Sequence, residues 1–295
     1  MKAMQKLNAF IRLGRYDKPI GAMLVFWPCS FATALASSTF PDPINIACAF
    51  GASFMLRAAG CTANDLWDRK IDKQVTRTKL RPIASGEVSV SQGLCFFFIN
   101  LPPLPVCWYL MGPVAKSSLL YTLPLMTLYP LAKRFTHWPQ AVLGLAMNYG
   151  FVVNYLYITE SLDPFVIPVY LGCWGWTLVY DSIYAYQDIK DDVKIGVKST
   201  AVLWKEEYEK YCKIFTAVAG LGWISGGYLA GLGFGFYPVM AAAMTHMTYQ
   251  WKTLDINDPK DCWKKFSNSQ ITGALVFLAF VAGRVTQKKG EDLTV

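Results

Sequence analysis

Residues 44–72 read INIACAFGASFMLRAAGCTANDLWDRKID: twenty largely apolar residues, 44–63, lead directly into Asn64, Asp65, Asp68 and Asp72. A run of that length is what a helix needs to cross hydrocarbon. Isolated charge at membrane depth is costly, so acids gathered at a membrane boundary serve an ion, a proton or a substrate. A second stretch repeats the plan, with apolar residues 164–186 leading into Gln187, Asp188, Asp191 and Asp192. At about 100° per residue, Asp65, Asp68 and Asp72 fall within roughly a 60° arc, and Asn64 with Asp68 and Asp188 with Asp192 form i, i+4 pairs. Hard oxygen ligands of this kind suit Mg²⁺, which keeps several waters and is normally shared between one or two carboxylates and a substrate phosphate.

The rest of the chain reads as membrane protein. Of its 295 residues 54% are hydrophobic and only 16% are charged, and the mean hydropathy is +0.28, outside the usual soluble range. Nine apolar segments are predicted, at residues 19–38, 44–63, 90–109, 114–132, 138–158, 164–186, 212–232, 234–250 and 270–287. The expected fold is an all-α membrane protein with one domain over 1–295, a short basic leader at 1–18, and active-site loops at 64–89 and 187–210. Pro102, Pro103 and Pro105 interrupt the third segment, so neighbouring groups must satisfy the backbone they free.

If all nine segments span, the N-terminus and the loops after segments two, four, six and eight share one face. That face takes 23 of the 28 Lys and Arg residues, which makes it cytoplasmic or matrix-facing, and both acid segments lie on it. The net charge is +8, and a basic surface around acidic clusters calls for an anionic ligand; the membrane setting excludes nucleic acid. The lipid bilayer is the expected surrounding, and no obligate protein partner is implied. Eight cysteines show no CxxC spacing, and two histidines, His137 and His246, are too few for a histidine metal site. With no Gly-rich phosphate loop, phosphate binding falls to metal and side chains. Arg77 and Arg81 follow the first acid segment and Lys198 follows the second, at similar remove.

These residues resemble the UbiA-type intramembrane aromatic prenyltransferases. The resemblance rests on Arg57-Ala-Ala-Gly-Cys-Thr-Ala-Asn64-Asp65-Leu-Trp-Asp68-Arg-Lys-Ile-Asp72, on Arg81-Pro-Ile-Ala-Ser-Gly, and on Tyr180-Asp181-Ser-Ile-Tyr184-Ala-Tyr-Gln-Asp188-Ile-Lys-Asp191-Asp192 with Gly196-Val-Lys198-Ser-Thr. It extends to Arg15-Tyr-Asp-Lys18-Pro19, to Lys133-Arg134 and to Asp258-Pro-Lys-Asp261-Cys-Trp263-Lys-Lys-Phe266, and so covers nearly the whole chain. The branch it looks most like is 4-hydroxybenzoate polyprenyltransferase. The resemblance implies helices around a central cavity, a prenyl diphosphate donor and a phenolic aromatic acid acceptor.

An allylic diphosphate ionises when the charge on the departing pyrophosphate is neutralised, and an electron-rich ring carbon then captures the cation. The expected metal ligands are Asn64, Asp68, Asp188 and Asp192, with Asp65, Asp72 and Asp191 in support and Arg77, Arg81 and Lys198 as phosphate clamps. Asp181 and Tyr184, two turns and one turn before Asp188, are expected to face the acceptor and the cation. Arg57 is an ionisable residue inside an apolar span, two turns before Asn64. It either meets the acceptor carboxylate or pairs with an acid on another helix. Arg134 is the other candidate for phosphate or acceptor.

Two pathways fit this reaction. Residues 1–18 carry no acid before Asp17 and are short for a cleavable transit peptide. With that leader, the acid segments look most like fungal relatives that attach farnesyl to polyketide-derived phenolic acids in meroterpenoid (terpenoid, secondary-metabolite) biosynthesis, in an endomembrane. The alternative is the 4-hydroxybenzoate enzyme of ubiquinone synthesis, in a mitochondrial inner or bacterial plasma membrane. Non-enzymatic rivals are a transporter, which should carry polar residues or broken helices at mid-membrane where these acids sit at segment ends, and a lipid-binding membrane protein, which needs no Mg²⁺ constellation.

Overall fold

The structure is a computed structural model that describes residues 2–73, 78–122, 124–125, 132 and 135–287. All regular elements among the described residues are helices. Four are long and apolar enough to cross a membrane, Pro43–Trp67, Val90–Leu110, Pro139–Thr159 and Pro259–Val285, and Ile20–Ala36 is a shorter apolar helix. Helices Val166–Ala185, Tyr208–Leu229 and Phe236–Lys252 occupy the sixth, seventh and eighth predicted segments. The fourth segment is described only in part, with a helix at Pro113–Leu120, so the expected nine spans are not counted out.

The chain divides into two compact units: Met1–Phe26 with Ala47–Met111, and Trp27–Ile46 with Gly112–Val295. In the first, the predicted leader forms a helix, Lys2–Leu13, whose Ala9 and Leu13 are buried with Ile83 and Val88 and packed by Phe10, Leu66 and Phe96. Burying the apolar face of an amphipathic helix is what makes so short a helix stable. The third apolar segment breaks at Asn100, between helices Val90–Ile99 and Pro103–Leu110. As the prolines require, the backbone is satisfied locally: Asn100 Nδ2 donates to the Phe96 carbonyl at 2.8 Å, and Leu104 N–H donates to Leu101 O at 2.9 Å. The outward side chains Phe98, Ile99 and Tyr109 are exposed, as lipid-facing residues are.

In the second unit, helices Val166–Ala185 and Tyr208–Leu229 pack backbone to backbone. A Cβ on Gly222 would stand 2.5 Å from Pro168 O and 2.6 Å from Gly172 N, and one on Gly175 would stand 2.9 Å from Phe215 O. Small residues permit this approach, and close van der Waals packing is the main association force where lipid offers no hydrophobic drive. Helix Pro139–Thr159 joins through a buried polar contact, Asn148 Nδ2 donating to Thr177 Oγ1 at 2.7 Å.

The two expected active-site loops contain short helices among their described residues. Residues 64–89 hold the end of helix Pro43–Trp67 and the short helices Arg69–Asp72 and Pro82–Ser85; residues 187–210 hold Ile189–Ile195 and Thr200–Trp204. Local stops and starts explain this: Gly86 and Gly196 take left-handed φ of 83° and 72°, Pro82 opens one helix, and the Ser199 side chain accepts the Val202 N–H to cap another.

Candidate active site

In the first unit the acid segment continues a helical ladder past Trp67. Asp68 N–H donates to Asn64 O and Asp72 N–H donates to Asp68 O, each at 2.8 Å. One face of this ladder is buried: Asp65 is 1% exposed and Asp72 is 5% exposed. Asn64 is exposed and Asp68 half-buried. The buried pair is bound to guanidinium groups. Arg15 Nη2 lies 3.1 and 3.2 Å from the two Asp65 oxygens, and Arg81 Nη1 lies 3.1 Å from Asp65 Oδ1 and 3.0 Å from Asp72 Oδ2. Arg81, expected to clamp phosphate, is thus engaged by protein carboxylates. Partial burial raises the phenol of nearby Tyr16, which stays a neutral donor to Asn100 Oδ1 at 2.8 Å.

Arg57 is half-buried in helix Pro43–Trp67 and lies against the backbone of Gly21, where an added Cβ would stand 2.7 Å from its Nε and 3.0 Å from its Nη2. Arg77 and Arg134 lie outside the described residues.

In the second unit helix Val166–Ala185 tightens into a 3₁₀ turn, Tyr186–Asp188, and resumes as Ile189–Ile195. The tightening brings Asp188 to the start of a new helix, with Asp191 and Asp192 in its first turn. Asp181, Asp188 and Asp192 are half-buried, while Asp191 is exposed beside Lys194 at 4.0 Å. The segment beyond is pinned from three sides: Ser182 Oγ meets Thr200 Oγ1 at 2.6 Å, Thr200 N–H donates to Gln140 Oε1 at 3.0 Å, and Tyr186 Oη donates to Lys205 O at 2.7 Å. Lys198 Nζ donates to the Phe135 carbonyl at 3.4 Å.

Tyr184 belongs to an aromatic group. Its ring centroid is 4.7 Å from Phe266 and 6.3 Å from Trp263, and Tyr180 stands 6.0 Å from Phe266. Trp263 and Phe266, like Arg15, belong to the family-like segments but carry no site role by sequence alone. Their signal was an i, i+3 aromatic pair in an otherwise polar helix start.

Among the described residues no three Asp, Glu, His or Cys side chains converge on a common point. The available donors are oxygens, at most a few per acid segment, which fits an ion completed by water and substrate phosphate and not an all-protein cage.

The model of the UbiA prenyltransferase family matches residues 25–281 of this chain, through both acid segments. The chain belongs to the UbiA prenyltransferase family. It is accordingly an integral, multi-pass membrane protein and an enzyme of prenyl transfer. Among relatives in the family, the mitochondrial 4-hydroxybenzoate polyprenyltransferase of Bos taurus is 41% identical over 303 residues, covering 99% of this chain and 80% of the relative. The UbiA fold is matched by an apo UbiA homolog from Aeropyrum pernix K1, with a TM-score of 0.71 at 20% identity over 88% of this chain and 96% of that one. A UbiA homolog from Archaeoglobus fulgidus, solved bound to GPP and Mg²⁺, matches with a TM-score of 0.68 at 18% identity over 94% and 99% of the two chains.

Proposed function

We propose that this UbiA-family enzyme transfers a polyprenyl group from its diphosphate to a ring carbon of 4-hydroxybenzoate, in a mitochondrial membrane. The observation that carries this reading is the 41% identity to a mitochondrial 4-hydroxybenzoate polyprenyltransferase across 99% of the chain. It favours the ubiquinone-type reading over the meroterpenoid one: the farnesyl donor, the substituted phenolic acid and the endomembrane have no support among the relatives. The reading treats the chain as one catalytic domain, since the family match runs across both compact units.

Mg²⁺ bound with the donor would neutralise charge developing on the departing pyrophosphate. Asn64 with Asp68 in the first unit, and Asp188 with Asp192 in the second, would each supply Mg²⁺ ligands, a role supported by their oxygen donors, their i, i+4 spacing and their access to solvent. Asp65 and Asp72, engaged by Arg15 and Arg81, would support the first ladder. Lys198 would meet diphosphate oxygens by turning from the Phe135 carbonyl. Tyr184 with Phe266 and Trp263 would offer π faces to the allylic cation and exclude water from it. Arg57 would orient the acceptor through its carboxylate.

The reading is tested by metal-dependent transfer in detergent. Asp68→Ala and Asp188→Ala should each lower the rate by about two to three orders of magnitude, as loss of a charge-stabilising group does, without unfolding the protein. Wild-type turnover in either variant would remove these residues from the metal site.

A further inference from the structure

The N-terminal helix is fastened to the region around the first acid segment at several points. Its Ala9 and Leu13 share a buried cluster with Ile83 and Val88, Lys6 Nζ donates to Gln92 Oε1 at 2.8 Å, and Arg12 pairs with Glu87. The helix ends in a turn, Gly14-Arg15-Tyr16, set close against helix Pro43–Trp67. A Cβ on Gly14 would stand 3.2 Å from the Ala58 Cβ, and Tyr16 is tied to Asn100. Arg15 takes a left-handed φ of 60°, unusual for a residue that is not glycine. Such a conformation persists only where the surroundings fix it, and its clustering at functional sites makes it informative.

The Arg15 guanidinium bridges the end of the N-terminal helix and the first acid segment. Nη1 donates to the Arg12 carbonyl at 2.5 Å, and Nη2 reaches both oxygens of Asp65. Asp65 is one residue past Asn64 and one turn before Asp68, and the same carboxylate also meets Arg81. Arg15 and Arg81 thus grip Asp65 from two segments of the first unit and fix the rotation of the helical turn that carries Asn64 and Asp68.

We infer that Arg15 is a positioning residue: acting through Asp65, it sets the orientation of the Asn64–Asp68 turn toward metal and diphosphate. This rests on the metal role proposed above for Asn64 and Asp68. Groups that orient metal ligands without touching the metal typically contribute about 10- to 100-fold in metal affinity or activity.

The test is the Mg²⁺ dependence of pyrophosphate release from a prenyl diphosphate in the presence of 4-hydroxybenzoate, measured on the full chain in detergent. Arg15→Ala should raise the Mg²⁺ concentration for half-maximal rate by about 10-fold or more and lower kcat, with the KM for 4-hydroxybenzoate unchanged. Arg15→Lys, which restores charge without the two-pronged fork, should recover part of the shift. If Arg15→Ala is not obtained folded, Arg15→Met, which keeps the stem packing, carries the same expectation. A folded variant lacking the guanidinium with a wild-type Mg²⁺ requirement overturns the inference. Failure of the underlying metal reading looks different: wild-type protein itself would release pyrophosphate without dependence on Mg²⁺.

Discussion

Arg81 donates to both carboxylate oxygens of Asp72, at 3.2 and 3.0 Å. The same Nη1 serves Asp65, so one guanidinium neutralises two buried acids on the ladder that carries the metal-type residues. Removing one partner of a buried pair leaves uncompensated charge, which costs more than the pair itself contributes. Arg81→Ala should therefore destabilise the protein by about 3 kcal/mol, read as a lower unfolding midpoint in detergent. Arg81→Lys should restore part of it. Unchanged stability together with a raised KM for the donor would return Arg81 to the role of phosphate clamp.

Gly21 gives the Arg57 guanidinium its resting place. An alanine there would put Cβ 2.7 Å from Nε, so the guanidinium must move. Gly21→Ala should weaken use of a carboxylated acceptor, in the manner of Arg57→Ala, while leaving the KM for prenyl diphosphate near wild type. Equal losses in Arg57→Ala for 4-hydroxybenzoate and its decarboxylated analogue would make Arg57 a structural residue.

Phe266 packs on the Tyr184 ring at 4.7 Å. If this pair shields the allylic cation, Phe266→Leu, which keeps the site apolar but removes a π face, should divert donor to free prenyl alcohol. A cation–π contact contributes about 0.5–2 kcal/mol, enough to change the ratio of alcohol to prenylated acid several-fold. Chromatographic analysis of both products reads this ratio; a lower total rate with no added alcohol would assign Phe266 to packing alone.

Much of this was legible in the chain. The apolar segments announced the membrane helices, and Asn64, Asp68, Asp188 and Asp192 stood out because i, i+4 oxygen donors at segment ends have few structural uses. What sequence could not give was tertiary pairing. Arg15 and Asp65 are fifty residues apart, and nothing in their spacing couples them; the turn at Arg15 and the burial of Ala9 and Leu13 do so. What the apolar face of the basic N-terminal stretch covers was hidden for the same reason, since amphipathicity does not name the partner. The short helices within the expected loops start and stop at caps such as Ser199 and Gly196, which hydropathy does not register.

The two acceptors can be set against each other in a single competition. Purified enzyme with Mg²⁺ would be offered 4-hydroxybenzoate and an orsellinic-type phenolic acid together, with a long polyprenyl diphosphate and, separately, with farnesyl diphosphate. A higher kcat/KM for 4-hydroxybenzoate, greatest with the long donor, is the predicted result. Preference for the substituted acid with farnesyl diphosphate would contradict it.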